Sequence, residues 1–403
     1  MNELDRFKEK ATNYRQALAN QPTARLLELY PILWYLEKHR KALGQSKSKL
    51  RIVDLMSGSG FLSENLYKLG YTNLHAVEFC EEMYKDSSVY NSKVRLHFLS
   101  SFDHLDGVLD EVKPDVIITL ASFHHLLVYD TNDQVDKAAS QHMQSDVVDI
   151  CMRALPDQGI LLIADLVDSG VTETPLELFK APVAPIANEL VNLGLDKQIG
   201  KLLSSGNSLH GISSLLHREF GTRSGNSSLN WFRSIVDKTT VVGHKDIAIS
   251  SEFLESVASY RPVITKYACP WLFKDKIELE DFVFKKFAFG ITKPGFQPKT
   301  LQEVTALSEQ YLGVRSNHGI YSLGWNLGIV LLGKRDPFSR SNDLNILSAS
   351  LLAMAVILII ATVARYAFDI YAIVDFKDIF VFILTLPLGI VLGNWITRRK
   401  LVS

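Results

Sequence analysis

The sequence predicts an α/β fold: a doubly wound, mostly parallel sheet with a helical lid insertion, followed by two transmembrane helices. Three observations predict it. Short apolar runs alternate with helical patterns between Leu50 and Leu166, as βαβ units require. A glycine turn, Ser57-Gly58-Ser59-Gly60, follows the first of those runs. Two long uncharged runs close the chain.

The elements are justified in order. Helical patterns over Glu3–Ala19 and Thr23–Leu43 precede the first strand and would cover a ligand or the sheet edge. Leu50–Leu55 is the first strand, and Phe61, Leu62, Leu66 and Leu69 then recur at helical spacing until Gly70. The second strand, NLHAVEF, closes on Glu78. Val94–Leu99 and Asp115–Leu120 are the third and fourth strands, a helix spans Asp133–Leu155, and Ile160–Leu166 is the fifth strand. Helical patterns at Pro175–Leu193, Asp196–Leu203, Ile212–Phe220 and Ser251–Tyr260 form an insertion, which over the carboxyl edge of a sheet makes a lid. The stretch HGIYSLGWNLGIVLLGK supplies a last hairpin strand.

Ile346–Ala364 and Ile379–Ile396 carry no charge. Each is long enough to cross a hydrocarbon core of ~30 Å at ~1.5 Å per residue. Lys334, Arg335 and Arg340 precede them, Arg398, Arg399 and Lys400 follow, and the connection holds Asp369, Asp375 and Asp378 against Lys377. Basic flanks stay in the cytoplasm. The expectation is a multi-pass membrane protein of two helices, with the catalytic domain and both termini cytoplasmic. The charged N-terminus has no apolar h-region, so no signal peptide is expected. Five divisions follow: 1–45 an N-terminal cover, 46–167 the core, 168–265 the lid, 266–335 the end of the catalytic domain, 343–398 the hairpin.

Net charge is −1, so no nucleic-acid partner is expected. Cys80, Cys151 and Cys269 have no metal spacing, so no metal is expected either. The partners expected are the membrane and a small-molecule or lipid acceptor.

Ligands of such sheets bind outside the carboxyl ends of the strands. Two cofactors suit this one. Gly58-x-Gly60-x-x-Ser63 is a degenerate dinucleotide fingerprint, and Glu78 stands eighteen residues past Gly60, where a carboxylate meets a ribose. Asp54, four residues before Gly58, argues instead for a cationic ligand. It would repel a pyrophosphate and attract the ammonium of S-adenosylmethionine.

At these residues the chain resembles the class I S-adenosylmethionine-dependent methyltransferases. Their first motif, an apolar strand, an acid and a GxG turn, is matched by Ile52-Val53-Asp54-Leu55-Met56-Ser57-Gly58-Ser59-Gly60, with Met56 where the family has glycine. The resemblance implies a Rossmann-like sheet and a cofactor site of Asp54, Met56, Ser57, Gly58, Gly60, Glu78 and Phe79. Ser101, Phe102 and Asp103 would lie at the adenine, and Thr119 and Leu120 at the methionine end. His124 or His125 is the acid–base candidate, and Asp165 either lines the acceptor pocket or caps the next turn. Pro270–Phe273 with Phe282 and Phe289 resembles a segment of small-molecule methyltransferases. A membrane-anchored oxidoreductase and a non-catalytic protein with a degenerate cofactor fold remain alternatives.

Overall fold

In a computed structural model, residues 3–85, 93–132, 134–174, 184–206, 208–220, 228–231, 234, 248–287, 306–317 and 319–335 are described. The chain divides into two units, Met1–Pro337 and Phe338–Ser403. The second, with both C-terminal apolar runs, lies outside the described residues, as does Phe289. Among the described residues no helix is long and apolar enough to cross a membrane.

The first unit is built on a seven-stranded sheet. Its strands are β1 (Ile52–Leu55), β2 (Leu74–Glu78), β3 (Arg95–Phe98), β4 (Val116–Leu120), β5 (Ile160–Asp165), β6 (Val263–Ala268) and β10 (Asn326–Gly333). They lie in the order β3-β2-β1-β4-β5-β10-β6. Neighbours pair in parallel from β3 to β5, and β10 runs antiparallel to both β5 and β6. This is the mostly parallel doubly wound sheet the sequence predicts. From β1 the chain steps outward to β2 and β3, then crosses back to β4. The β1–β4 boundary is therefore the switch point where a crevice opens. The central strands are apolar along both faces and buried from end to end, as a sheet covered on both sides requires.

Helices cover it. They include α1 (Glu3–Asn20), α2 (Leu29–Ala42), α3 (Phe61–Lys68), α4 (Glu81–Tyr84), α5 (Leu105–Val112) and α6 (Lys137–Ala154). One core joins Leu105, Leu109, Val148 and Met152 to Val53, Ile117, Ile163 and Val330 on one face of the sheet. On the other face Tyr30 donates to the Ala268 carbonyl, and the Tyr35 and Thr265 hydroxyls lie 3.3 Å apart.

The differences from expectation are local. The helix expected from Asp133 begins at Lys137, because Asp130 accepts from the Asn132 and Gln134 N–H groups in a turn and Asp136 caps the helix at Ala139 N–H. HGIYSLGWNLGIVLLGK is not one strand. Gly324 and Trp325 break it, so β9 (Ile320–Leu323) joins β7 (Trp271–Phe273) and β8 (Val314–Asn317) in a separate three-stranded sheet, and only the second half, β10, reaches the main sheet. Of the segment expected to form a lid, Ala184–Asn192, Lys197–Ser204, Leu209–Phe220 and Ser251–Ser256 are helical. Pro175 and the residues up to 183 lie outside the described residues.

Candidate active site at the switch point

The sheet's carboxyl edge gathers most of the predicted site residues. After β1 the chain turns through Met56 (φ 56°), Gly58 (φ 57°) and Gly60 (φ 90°) into α3. Met56 thus holds the left-handed conformation that suits the glycine usual at its position, at a cost of roughly 1–2 kcal/mol. After β4, Ala121 is left-handed as well (φ 51°). The Ser122 hydroxyl ties the two turns together, lying 3.0 Å from the Met56 carbonyl and 3.0 Å from that of Leu120. Two non-glycine residues in strained backbone flank the crevice, and such strain concentrates at functional sites.

Asp54 is buried, and its Oδ2 accepts from the Ser63 hydroxyl at 2.7 Å and the Ser63 N–H at 3.2 Å. The carboxylate therefore sits at the N-terminus of α3 and satisfies one of its orphan donors. Burial pushes its pKa up to about 7, the Ser63 bonds oppose that, and Glu78 adds to it.

Glu78, at the end of β2, is buried and accepts from the N–H groups of Gly58 at 2.5 Å, Phe79 at 2.9 Å and Cys80 at 2.9 Å. Burial holds its pKa above the usual value although these bonds favour the charge. Three of about four carboxylate acceptor sites are filled. The Phe79 ring stacks on Phe102 beyond β3, with centroids 3.9 Å apart. Ser101 donates to Asp103 at 2.8 Å, and Asp103 is exposed on the rim. Thr119 Oγ1, two residues before the left-handed Ala121, is buried with no hydrogen-bond partner.

The histidines follow β4. His124 Nδ1 lies 2.6 Å from Asp165 Oδ1, and the His124 N–H donates to Asp165 Oδ2 at 3.1 Å. Asp165 ends β5 and is fully buried. Burial alone would raise its pKa; His124 and the N–H groups of His124 and Leu166 outweigh that and hold it below the usual carboxylate range. An ionised carboxylate only accepts, so Nδ1 carries the proton, and in the neutral ring the one basic lone pair is on Nε2. His125 is half-buried, its ring centroid 4.0 Å from that of His124. Among the described residues no group of three or more His, Cys, Asp or Glu is placed to hold a metal ion.

A covering layer lies beside the β1 and β2 turns. Ala11 and Tyr14 of α1 pack on Cys80 and on Met83 of α4. Arg25 donates to Tyr14 and Glu28, its guanidinium lies 5.0 Å from the Phe61 ring at the start of α3, and Trp271 donates to Glu28 at 2.7 Å. Sequence reasoning missed this buried network and the Phe79–Phe102 stack, since neither has a local signature.

No protein-family model and no curated protein matches the chain. Solved structures do. The YcgJ protein of Bacillus subtilis is 11% identical, with a TM-score of 0.34, over 75% of this chain and 99% of its own. The plantazolicin methyltransferase BpumL, solved with a pentazolic analogue and SAH, is 13% identical, with a TM-score of 0.32, over 82% of this chain and 98% of its own. The sugar N-methyltransferase KedS8 from a Streptoalloteichus species is 14% identical, with a TM-score of 0.25, over 38% of this chain and 52% of its own.

Proposed function

We propose that the chain is an S-adenosylmethionine-dependent methyltransferase with a cytosolic catalytic unit, anchored to a membrane by its C-terminal apolar runs. Its acceptor is small, apolar or lipid-soluble, and carries an O–H or N–H group. One observation carries the choice of cofactor. The N-terminus of α3, which would cradle the pyrophosphate of a dinucleotide, already holds the buried carboxylate of Asp54. A pyrophosphate there would have to keep Asp54 protonated, whereas a cationic ligand stabilises its ionised form. The remaining residues fit that ligand. Glu78 retains acceptor capacity for a ribose hydroxyl, Phe79 and Phe102 offer aromatic faces to a base, and the unpartnered Thr119 hydroxyl can bond to a bound polar group.

The bound cofactor supplies an electrophilic methyl group. His124, oriented by Asp165, takes the acceptor's proton at Nε2. Asp165 stays ionised and stabilises the imidazolium that results. Holding the acceptor in line supplies on the order of 7–11 kcal/mol, and α1, packed on Cys80 and Met83 beyond β2, helps to exclude water.

Thermal denaturation of the purified chain with S-adenosylmethionine, S-adenosylhomocysteine, NAD or NADP tests the cofactor reading. The first two should raise the midpoint and the dinucleotides should not. Stabilisation by NAD or NADP alone would replace the methyltransferase with the membrane-anchored oxidoreductase.

A further inference from the structure

A second concave site lies at the opposite end of the sheet. A cavity of about 710 Å³ opens beside the edge strands and is lined by Ser48, Thr72, Asn73 and the segments Leu74–His75 and Lys93–His97. Ser48, Thr72, Asn73, Leu74, His75 and Lys93–Arg95 precede or begin β1, β2 and β3, and Leu96 and His97 continue along β3, so the cavity runs from the amino ends along the edge of the sheet and includes neither Glu78 nor the glycine turn. Its lining is basic and contains no Asp or Glu.

The charge is unbalanced in a specific way. Among the described residues neither Lys93 nor Arg95 forms an ion pair. Lys93 only lies over the Tyr67 ring, at 5.7 Å. Parallel pairing sets Arg95 directly across from His75. The His75 and His97 rings stack with centroids 5.3 Å apart, and His75 Nδ1 lies 3.0 Å from His97 Nε2. A 3.0 Å contact between ring nitrogens needs a proton on one and a lone pair on the other, so at least one ring is neutral. Burial pushes His75 down to about 4, with His97 and Arg95 adding to the effect. Burial lowers His97 as well. Arg95 acts in the same direction, and Glu111 of α5 is the carboxylate that opposes it. Two exposed cations, Lys93 and Arg95, and an imidazole pair thus line a pocket whose described lining holds no Asp or Glu. Concave basic surfaces of this kind concentrate anions.

We propose that this cavity binds a phosphate group, either the free ion or a phosphomonoester, with Lys93 and Arg95 supplying charge and the His75–His97 pair supplying donors. Lys93 acts as a point charge and Arg95 as a planar fork for two oxygens. A bound dianion favours the imidazolium form of the pair, so binding takes up protons and tightens as pH falls. The site is independent of the methyltransferase reading.

Calorimetric titration of the full chain in neutral detergent tests it, with inorganic phosphate, glycerol 1-phosphate and sulfate at about pH 6 and about pH 7.5. Sulfate stays a dianion across that range, so its pH dependence reports the histidines alone. Saturable binding is expected, weakened about tenfold or more in K93Q/R95Q, as the loss of charged hydrogen bonds implies. The tightening of sulfate at low pH should vanish in H75Q/H97Q. S-adenosylhomocysteine affinity should be unchanged in both double variants. Glycerol 1-phosphate binding at least as tightly as inorganic phosphate assigns the site to a phosphomonoester or lipid headgroup; the reverse order assigns it to the free ion. No saturable heat with either phosphate, or full affinity in K93Q/R95Q, overturns the proposal.

Discussion

At the residue scale the site turns on the pairing of His124 with Asp165. His124 has Asp165 at 2.6 Å, and His125 packs against the first ring. A base fixed in one tautomer predicts a division between binding and turnover. His124→Ala should lower methyl transfer by ~10²–10⁴-fold and leave S-adenosylhomocysteine affinity near wild type. Asp165→Asn should lower it too, because an amide can donate to the ring and release the wrong tautomer. Transfer of labelled methyl to a panel of phenols, alcohols and amines, beside calorimetry, separates the two readouts. Wild-type turnover in His124→Ala would leave catalysis to positioning alone. The sequence shows both residues at strand ends but not that the ends meet. Only the parallel register Val116↔Ile160 through Leu120↔Ala164 brings positions 124 and 165 together.

At the scale of elements, Asp54 and Glu78 are joints before they are ligands. Asp54 fastens β1 to α3 through Ser63, and Glu78 fastens the end of β2 to the β1 turn through Gly58. Asp54→Ala and Glu78→Ala should each weaken S-adenosylmethionine binding by about 1–3 kcal/mol, measured by calorimetry. Asp54 also carries a pH signature. Its pKa is about 7 in the folded chain, against ~3.9 for an unperturbed Asp. The folded state therefore binds this proton more tightly than the unfolded one, and stability falls as pH rises from about 4 to about 7. Asp54→Asn should lose that slope in melts taken across the range; an unaltered slope would assign it to other groups. The strands themselves were legible because a buried parallel strand must be a short apolar run; their order in the sheet was not. Nor was the split of the final hairpin, since nothing local to Ile320–Leu323 or Asn326–Gly333 says which sheet each completes.

For the whole molecule, the question is whether the first unit stands without the second. β10 lies between β5 and β6, so the sheet is complete by Gly333. Just beyond it Lys334 donates to the Leu155 carbonyl at 2.5 Å and Arg335 pairs with Asp157, which fastens the chain to the end of α6 and the turn into β5. Among the described residues, every strand of the sheet and every residue of its core lies before Pro337. Removing Asp343 onward should therefore release a soluble, folded protein that keeps its affinity for S-adenosylhomocysteine, while the full chain needs detergent. The truncated form should lose activity on a lipid-dissolved acceptor more than on the same group in a water-soluble analogue, because the proposed anchor would supply only local concentration. In that proposal the basic residues on both outer flanks and the net acidic connection would set the orientation. A reporter fused after Ser403 should read as cytoplasmic, and one placed between Asp369 and Asp375 as exported. An exported Ser403 reporter would reverse the anchor, and a truncated chain that cannot fold would make the apolar runs part of the core instead.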